Sequence, residues 1–219
     1  MKAIALLSGG KDSFFSTLIA MEQGMEIVKC LTVKPDQYSE MFHVPNSGFA
    51  NEVARLLGLE TEFVGENNFY GRLKEIAKSL KAEAVISGAI ASNFQKTRIE
   101  RFCTENNLLS FTPLWLMDQE KELGYVLQSG ILPMIVSVSA EGLGKKDLGR
   151  LIGHSFIKEL LQIKEKIGIN VAGEGGEYES FVIGFNSRRL IIKEYEDIED
   201  GSMSYRKIIK IESAGKSRE

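Results

Sequence analysis

The residues best equipped for chemistry stand almost at the start of the chain, in Ser8-Gly9-Gly10-Lys11-Asp12-Ser13. A short apolar run, Ala3 to Leu7, enters this stretch, and an amphipathic helical pattern leaves it. Strand, glycine loop and helix together are the context that phosphate binding requires. Gly9 and Gly10 let the main chain approach an anion without Cβ clashes, and the first amides of the helix present N–H groups at the positive end of its dipole. Ser8 and Ser13 add hydroxyl donors, and Lys11 adds a positive charge. Asp12 would repel a phosphate, so its uses are helix capping and the orientation of Mg²⁺ or of the loop itself. A plain glycine turn ahead of a capped helix is the competing reading. The spacing matches neither the Walker loop nor the dinucleotide fingerprint.

Two more stretches carry unusual residue types. Ser87-Gly88-Ala89-Ile90-Ala91-Ser92 follows a strand pattern, and Gly88 there would let a ribose or base lie against the backbone. Gln95-Lys96-Thr97-Arg98-Ile99-Glu100 then opens a helix whose basic residues suit an α-phosphate, or merely an ordinary charged surface. The third stretch is Gly173-Glu174-Gly175-Gly176-Glu177-Tyr178-Glu179. Its glutamates repel one another and its glycines give up conformational entropy, a costly way to build a mere turn. A solvated acidic loop is the alternative.

The elements that must hold these residues follow from periodicity. Up to Thr112, apolar runs alternate with helical patterns, the signature of βα units and a mostly parallel, doubly wound α/β sheet. Strands are expected at Ala3–Leu7, Ile27–Val33, Thr61–Val64, Ala84–Ser87 and Leu108–Phe111. Helices are expected at Ser13–Gln23, Ser47–Leu57, Phe69–Leu80 and Asn93–Glu105, with Gly24 and Gly58 as left-handed stops. A boundary at Pro113 divides an N-terminal domain, 1–112, from a smaller α+β domain, 113–219. In the second domain helices fall at Asp118–Gln128 and Ser155–Ile167, the latter with Phe156, Leu160, Ile163 and Ile167 on one face. Strands fall at Met134–Ser139, Phe181–Phe185, Leu190–Tyr195 and Tyr205–Ile211, the last three antiparallel.

The chain has 219 residues, 43% hydrophobic and 26% charged, with a formal net charge of −3, which argues against a broad basic surface for nucleic acid. Its two cysteines, Cys30 and Cys103, have neither disulfide density nor metal-ligand spacing and read as core thiols of a reducing, cytoplasmic setting. No signal-peptide pattern opens the sequence, and no apolar run is long enough to span a membrane.

The Ser8–Ser13 loop resembles that of the N-type ATP pyrophosphatases, enzymes on an adenine-nucleotide α-hydrolase (HUP-like) fold that cut ATP between its α and β phosphates. With the Ser87-Gly88-Ala89-Ile90 turn, Arg98, Glu100 and the Gly173–Glu179 segment, the resemblance narrows to the diphthamide synthase, or diphthine ammonia ligase, family and covers nearly the whole chain. It implies a nucleotide domain, a substrate domain and an active site in the cleft between them. It also implies the last step of diphthamide formation on a histidine of elongation factor 2. A carboxylate attacks the α-phosphorus, an acyl-adenylate and pyrophosphate form, and ammonia displaces AMP.

The nucleotide-binding residues would be Ser8, Gly9, Gly10, Lys11, Asp12, Ser13, Thr32, His43, Gly88 and Ala89. Lys11, Asp12, Arg98 and Glu177 would be catalytic, and Asp12 the residue facing Mg²⁺. Glu100, Glu174, Gly175, Gly176, Glu177, Tyr178 and Glu179 would meet the substrate, carboxylates and the Tyr178 face attracting diphthine's quaternary ammonium. Ser180 and Phe181 depart from the Thr and aliphatic residue expected after the motif. His43 would touch ATP or pack its loop, and His154 is structural. With no cysteine placed as a glutaminase nucleophile, the nitrogen donor is free ammonium. Neither nucleic acid nor membrane is a partner, and a homo-oligomer is compatible with the sequence. The competing functions are another adenylating amide ligase, a tRNA-modifying pyrophosphatase, and a non-catalytic ATP-binding regulator.

Overall fold

A strand with apolar residues on both faces has no side to give to water and belongs in the middle of a sheet. β1 (Lys2–Leu6) is such a strand, with Ala3, Ile4 and Ala5 fully buried. In the computed structural model, which describes residues 1–34 and 46–214, β1 lies between β2 (Glu26–Lys34) and β4 (Ala84–Ile86) and runs parallel to both. β3 (Thr61–Gly65) and β5 (Leu109–Phe111) complete a parallel sheet in the order β3-β2-β1-β4-β5. The chain therefore moves outward from β1 on one side through β2 and β3, then crosses to the other side at β4. The crevice beyond the carboxyl ends of β1 and β4 is the topological switch point, where ligands of open α/β sheets bind.

Helices α1 (Lys11–Glu22), α2 (Ala50–Leu56), α3 (Phe69–Leu80) and α4 (Asn93–Glu105) connect these strands. Leu73 and Ile76 of α3 and Ile99, Phe102 and Cys103 of α4 pack with Ile4, Leu31 and Val85 in one core cluster. α1 differs from the amphipathic helix expected, because its buried residues include Phe14, Phe15, Ser16, Thr17, Leu18 and Ala20. The Thr17 hydroxyl is buried with a local bond, Oγ1 donating to the Ser13 carbonyl at 2.7 Å, whereas the buried Ser16 Oγ has no hydrogen-bond partner among the described residues. Gly24 and Gly58 have φ of +81° and +77°, the left-handed conformation that ends a helix.

The first unit extends to Leu116 and the second begins at Met117, a few residues beyond the boundary expected at Pro113. The extra residues are held by the first unit. Leu114 is fully buried, the Leu116 amide donates to the Ile90 carbonyl at 2.8 Å, and Lys96 Nζ lies 4.6 Å from the Trp115 ring centroid.

In the second unit, Asp118 caps α5 (Gln119–Gln128) by accepting from the Lys121 amide at 3.0 Å. Strands β6 (Ile131–Val138), β7 (Tyr178–Phe185), β8 (Arg188–Asp200) and β9 (Met203–Ala214) form a closed antiparallel barrel. β8 and β9 are a long hairpin, and the seam back to β6 is short, Ser137 opposite Tyr205 and Val138 opposite Ser204. Pro133 sits in β6 where the register with β7 shifts, a position that tolerates a missing N–H. α6 (His154–Ile167) buries Phe156, Ile157 and Leu160 in a core that also takes Leu123, Ile135, Val171 and Tyr178. Ile167, expected on that apolar face, is 44% exposed because it ends the helix ahead of Gly168.

Candidate functional site

The loop after β1 is shaped by its own serines. The Ser13 hydroxyl donates to the Gly10 carbonyl at 3.1 Å and accepts from the Ser8 amide at 3.2 Å. With that hydrogen committed, the 3.1 Å contact between the two hydroxyls has Ser8 as donor, and Ser8 Oγ in turn accepts from the Gly10 amide at 3.4 Å. Gly9 bends at φ +96°, a conformation open to glycine and strained for other residues. Both serine hydroxyls, expected to reach a phosphate, are used within the loop instead. What the loop offers an anion is the end of α1. The first helical backbone bond runs from the Phe14 amide to the Gly10 carbonyl at 3.2 Å, so the amides of Lys11 to Ser13 precede any carbonyl the helix could supply.

Lys11 is 1% exposed, and its Nζ lies 2.6 Å from Asp12 Oδ1. Its ammonium therefore acts as part of a pair, with the Asp12 side chain, 31% exposed, as the more accessible member. Gly88 also meets a steric requirement of the fold itself. A Cβ at this position would lie 2.6 Å from the Ser13 nitrogen and 2.7 Å from the Asp12 carbonyl carbon, so the turn after β4 rests directly on the loop's backbone. That turn is fixed at both ends, by the Ser87 amide donating to the Phe111 carbonyl at 3.0 Å and by the bond from Leu116 to Ile90. Ala89 is buried within it.

Thr32, expected to meet the nucleotide, is 1% exposed, and its hydroxyl donates to the Leu7 carbonyl while contacting Thr61 Oγ1 at 2.8 Å. It ties β2 to the chain entering the loop and supports the site from behind. His43 lies outside the described residues. On α4, Arg98 is exposed and stacks 3.9 Å from the Phe94 ring centroid, while Glu100 pairs with Lys96 at 2.5 Å.

The Gly173–Glu179 segment is rigidly tied rather than loose. Glu177 Oε1 accepts from both the backbone amide and the side-chain amide of Asn170, at 2.8 and 2.7 Å, and Oε2 accepts from the Gly175 amide at 2.8 Å. A Cβ on Gly175 would lie 2.8 Å from both Asn170 Nδ2 and Glu177 Oε1, so any larger residue there must displace the bonded ends of those two side chains. The expectation of an open aromatic face at Tyr178 is corrected. Its ring is 3% exposed inside the core of the second unit, and its hydroxyl donates to the Val171 carbonyl at 2.7 Å. As the first residue of β7 it points inward, whereas its neighbours Glu177 and Glu179 are partly exposed.

Sequence reasoning missed Gln119. This first residue of α5 donates from Nε2 to Asn170 Oδ1 at 3.1 Å and accepts from the Ala172 amide at 3.1 Å. Its only local signal was the Asp118 cap before it. Both cysteines are buried, and burial pushes Cys30 up to about 12 and Cys103 up to about 11, so neither thiol is a nucleophile at neutral pH. Among the described residues no group of three or more His, Cys, Asp or Glu could by itself hold a metal ion.

Family models match both halves of the chain, the diphthamide synthase N-terminal domain over residues 1–110 and the diphthamide synthase C-terminal domain over residues 118–214. The chain belongs to the diphthamide synthase family. Curated relatives named diphthine–ammonia ligase include one from Rattus norvegicus, 32% identical over 84% of this chain and 79% of that protein. One from Homo sapiens is 30% identical over 84% and 79%. One from Schizosaccharomyces pombe is 31% identical over 95% of this chain, which spans only 39% of that longer relative. A solved structure, a predicted subunit of tRNA methyltransferase from Methanocaldococcus jannaschii, aligns over 85% of this chain and 98% of its own at a TM-score of 0.45 and 14% identity. In this diphthamide synthase family member, the Ser8–Ser13 loop lies in the first matched domain and the acidic segment in the second.

Proposed function

We propose that this family member is an ATP-dependent ligase that converts the carboxyl group of diphthine on elongation factor 2 into the amide of diphthamide, with ammonium as nitrogen donor. The observation that carries this reading is the match of both halves to one family, with the preshaped phosphate loop in one half and the tied acidic segment in the other. ATP is a co-substrate of this reaction. The substrate carboxylate attacks the α-phosphorus and releases pyrophosphate, and ammonia then displaces AMP from the acyl-adenylate.

No nucleophilic side chain is needed. The chain supplies electrostatics, with the amides of Lys11 to Ser13 and the Lys11 ammonium set where charge builds on the departing pyrophosphate. Each preorganised donor of this kind is worth about 3 to 4 kcal/mol. Mg²⁺ typically takes one or two protein carboxylates and keeps phosphate and water oxygens for the rest, which suits Asp12 as a single protein ligand. When bound, it would neutralise phosphate charge. Diphthine's fixed cation is attracted by the carboxylates of the acidic segment, without the Tyr178 ring. Because neither thiol can serve a glutaminase step, ammonium is taken directly. The reaction belongs in the cytoplasm with its protein substrate, and no helix among the described residues is long and apolar enough to cross a membrane.

The test incubates diphthine-bearing elongation factor 2 with ATP, ammonium and the protein, and follows carboxyl-to-amide conversion by mass spectrometry together with AMP release. Absence of the amide would end this reading. Glutamine outperforming ammonium would end the assignment of the nitrogen donor.

A further inference from the structure

The Glu177 carboxylate accepts three hydrogen bonds, all from donors of its own loop. Two of its three donors come from Asn170, which lies at the other end of the same loop. Asn170 is itself oriented by Gln119, whose Nε2 donates to Asn170 Oδ1 while its Oε1 takes the Ala172 amide. The amide of Asn170 can thus stand in only one sense, oxygen toward Gln119 and nitrogen toward Glu177. Further bonds close the loop. The Gly173 amide donates to the Asn170 carbonyl at 2.9 Å, the Gly176 amide to the Gly173 carbonyl at 3.0 Å, and the Ser139 amide to the Glu177 carbonyl at 3.0 Å.

A chain of contacts therefore runs from the first turn of α5 through Asn170 to the glutamate and on to Gly175. We propose that Gln119 and Asn170 are positioning residues for the substrate-engaging segment, and that Glu177 is its internal clamp and does not touch the substrate. This rests on the functional reading above and reverses the expectation that Glu177 acts on the reacting groups. Contact with the substrate then falls to other members of the segment, Glu174 and Glu179 among its carboxylates. The clamp holds their backbone in one shape before the substrate arrives, so that less ordering remains to be done on binding.

The proposal is tested on the full chain with Asn170→Ala, Glu177→Ala, the double variant, Asn170→Asp and Gln119→Ala. Steady-state kinetics use diphthine-bearing elongation factor 2, ATP and ammonium, and amide hydrogen exchange is read at Ala172 and Gly175. Each single change at Asn170 or Glu177 is expected to raise KM for the protein substrate about tenfold, with kcat and KM for ATP within about twofold, and the double variant should be no worse than the poorer single, since both remove one set of bonds. Asn170→Asp should be worse than Asn170→Ala, because it faces a carboxylate with the Glu177 carboxylate. Gln119→Ala should speed exchange at Ala172 and raise KM by about threefold.

Effects that multiply in the double variant, or loss of kcat in Glu177→Ala with a silent Asn170→Ala, would overturn the clamp. If the inner variants fail to fold, Gln119→Ala decides alone, and a silent result there overturns the positioning role. A wild type that amidates nothing refutes the functional reading, while unaltered exchange at Gly175 in Glu177→Ala refutes the clamp itself.

Discussion

Gly88 carries more consequence than its size suggests, because the hydrogen in place of its side chain lies against the peptide joining Asp12 to Ser13. Gly88→Ala must push that peptide or its own turn aside, at a cost of about 1 to 3 kcal/mol. ATP affinity, measured by calorimetry, should fall at least about tenfold, which corresponds to 1.4 kcal/mol. The Lys11–Asp12 pair makes a contrasting prediction. Lys11→Met removes a buried charge and should leave the melting temperature unchanged or higher, while kcat falls about 10²-fold or more. Asp12→Asn removes the anion 2.6 Å from a buried ammonium and should be the less stable of the two by about 1 to 3 kcal/mol, discounted because Asp12 is partly exposed. The strand, glycine bend and helix that make this loop were legible in residue types and spacing. The inward commitment of the serine hydroxyls and of Tyr178 was not, since each depends on partners brought up by the fold.

At the scale of elements, strand and helix positions followed from periodicity except where polar residues enter a strand. β8 runs on past the expected end at Tyr195 through Glu196, Asp197, Glu199 and Asp200, because those residues sit in a hairpin exposed along much of its length. β7 likewise starts inside the acidic segment, at Tyr178, where glycines and glutamates mask the strand pattern. The hairpin is anchored by Arg206, whose guanidinium makes two 2.7 Å bonds to Asp197 and lies 3.8 Å from the Tyr195 ring centroid. Gly149, at φ +82°, leaves the room that this guanidinium fills. Gly149→Ala therefore combines backbone strain with a clash, and should destabilise the protein by about 1 to 3 kcal/mol, roughly 2 to 4 °C of melting temperature for each kcal/mol. Arg206→Ala in the same background should remove the clash, so the second substitution costs less there than in the wild type.

Across the whole molecule, both cysteines report on the fold. Cys30 ionises at about 12 in the native state against 9.0 for an ordinary thiol, because burial disfavours the thiolate. The native state thus holds this proton more tightly than the unfolded one, and the contribution to stability is complete below pH 9.0 and is lost as pH climbs toward about 12. Denaturant midpoints should fall steeply above that lower value, less so in Cys30→Ala, and iodoacetamide should label neither thiol until the protein unfolds. The strand order β3-β2-β1-β4-β5 has a further consequence, for synthesis on the ribosome. β1 and its loop emerge first, yet the turn bearing Gly88 is translated about 80 residues later, about 4 to 16 s at ordinary elongation rates. Until then the nascent loop has a glycine bend but no floor, so, on the function proposed above, a growing polypeptide would not hold nucleotide before its fourth strand has been made.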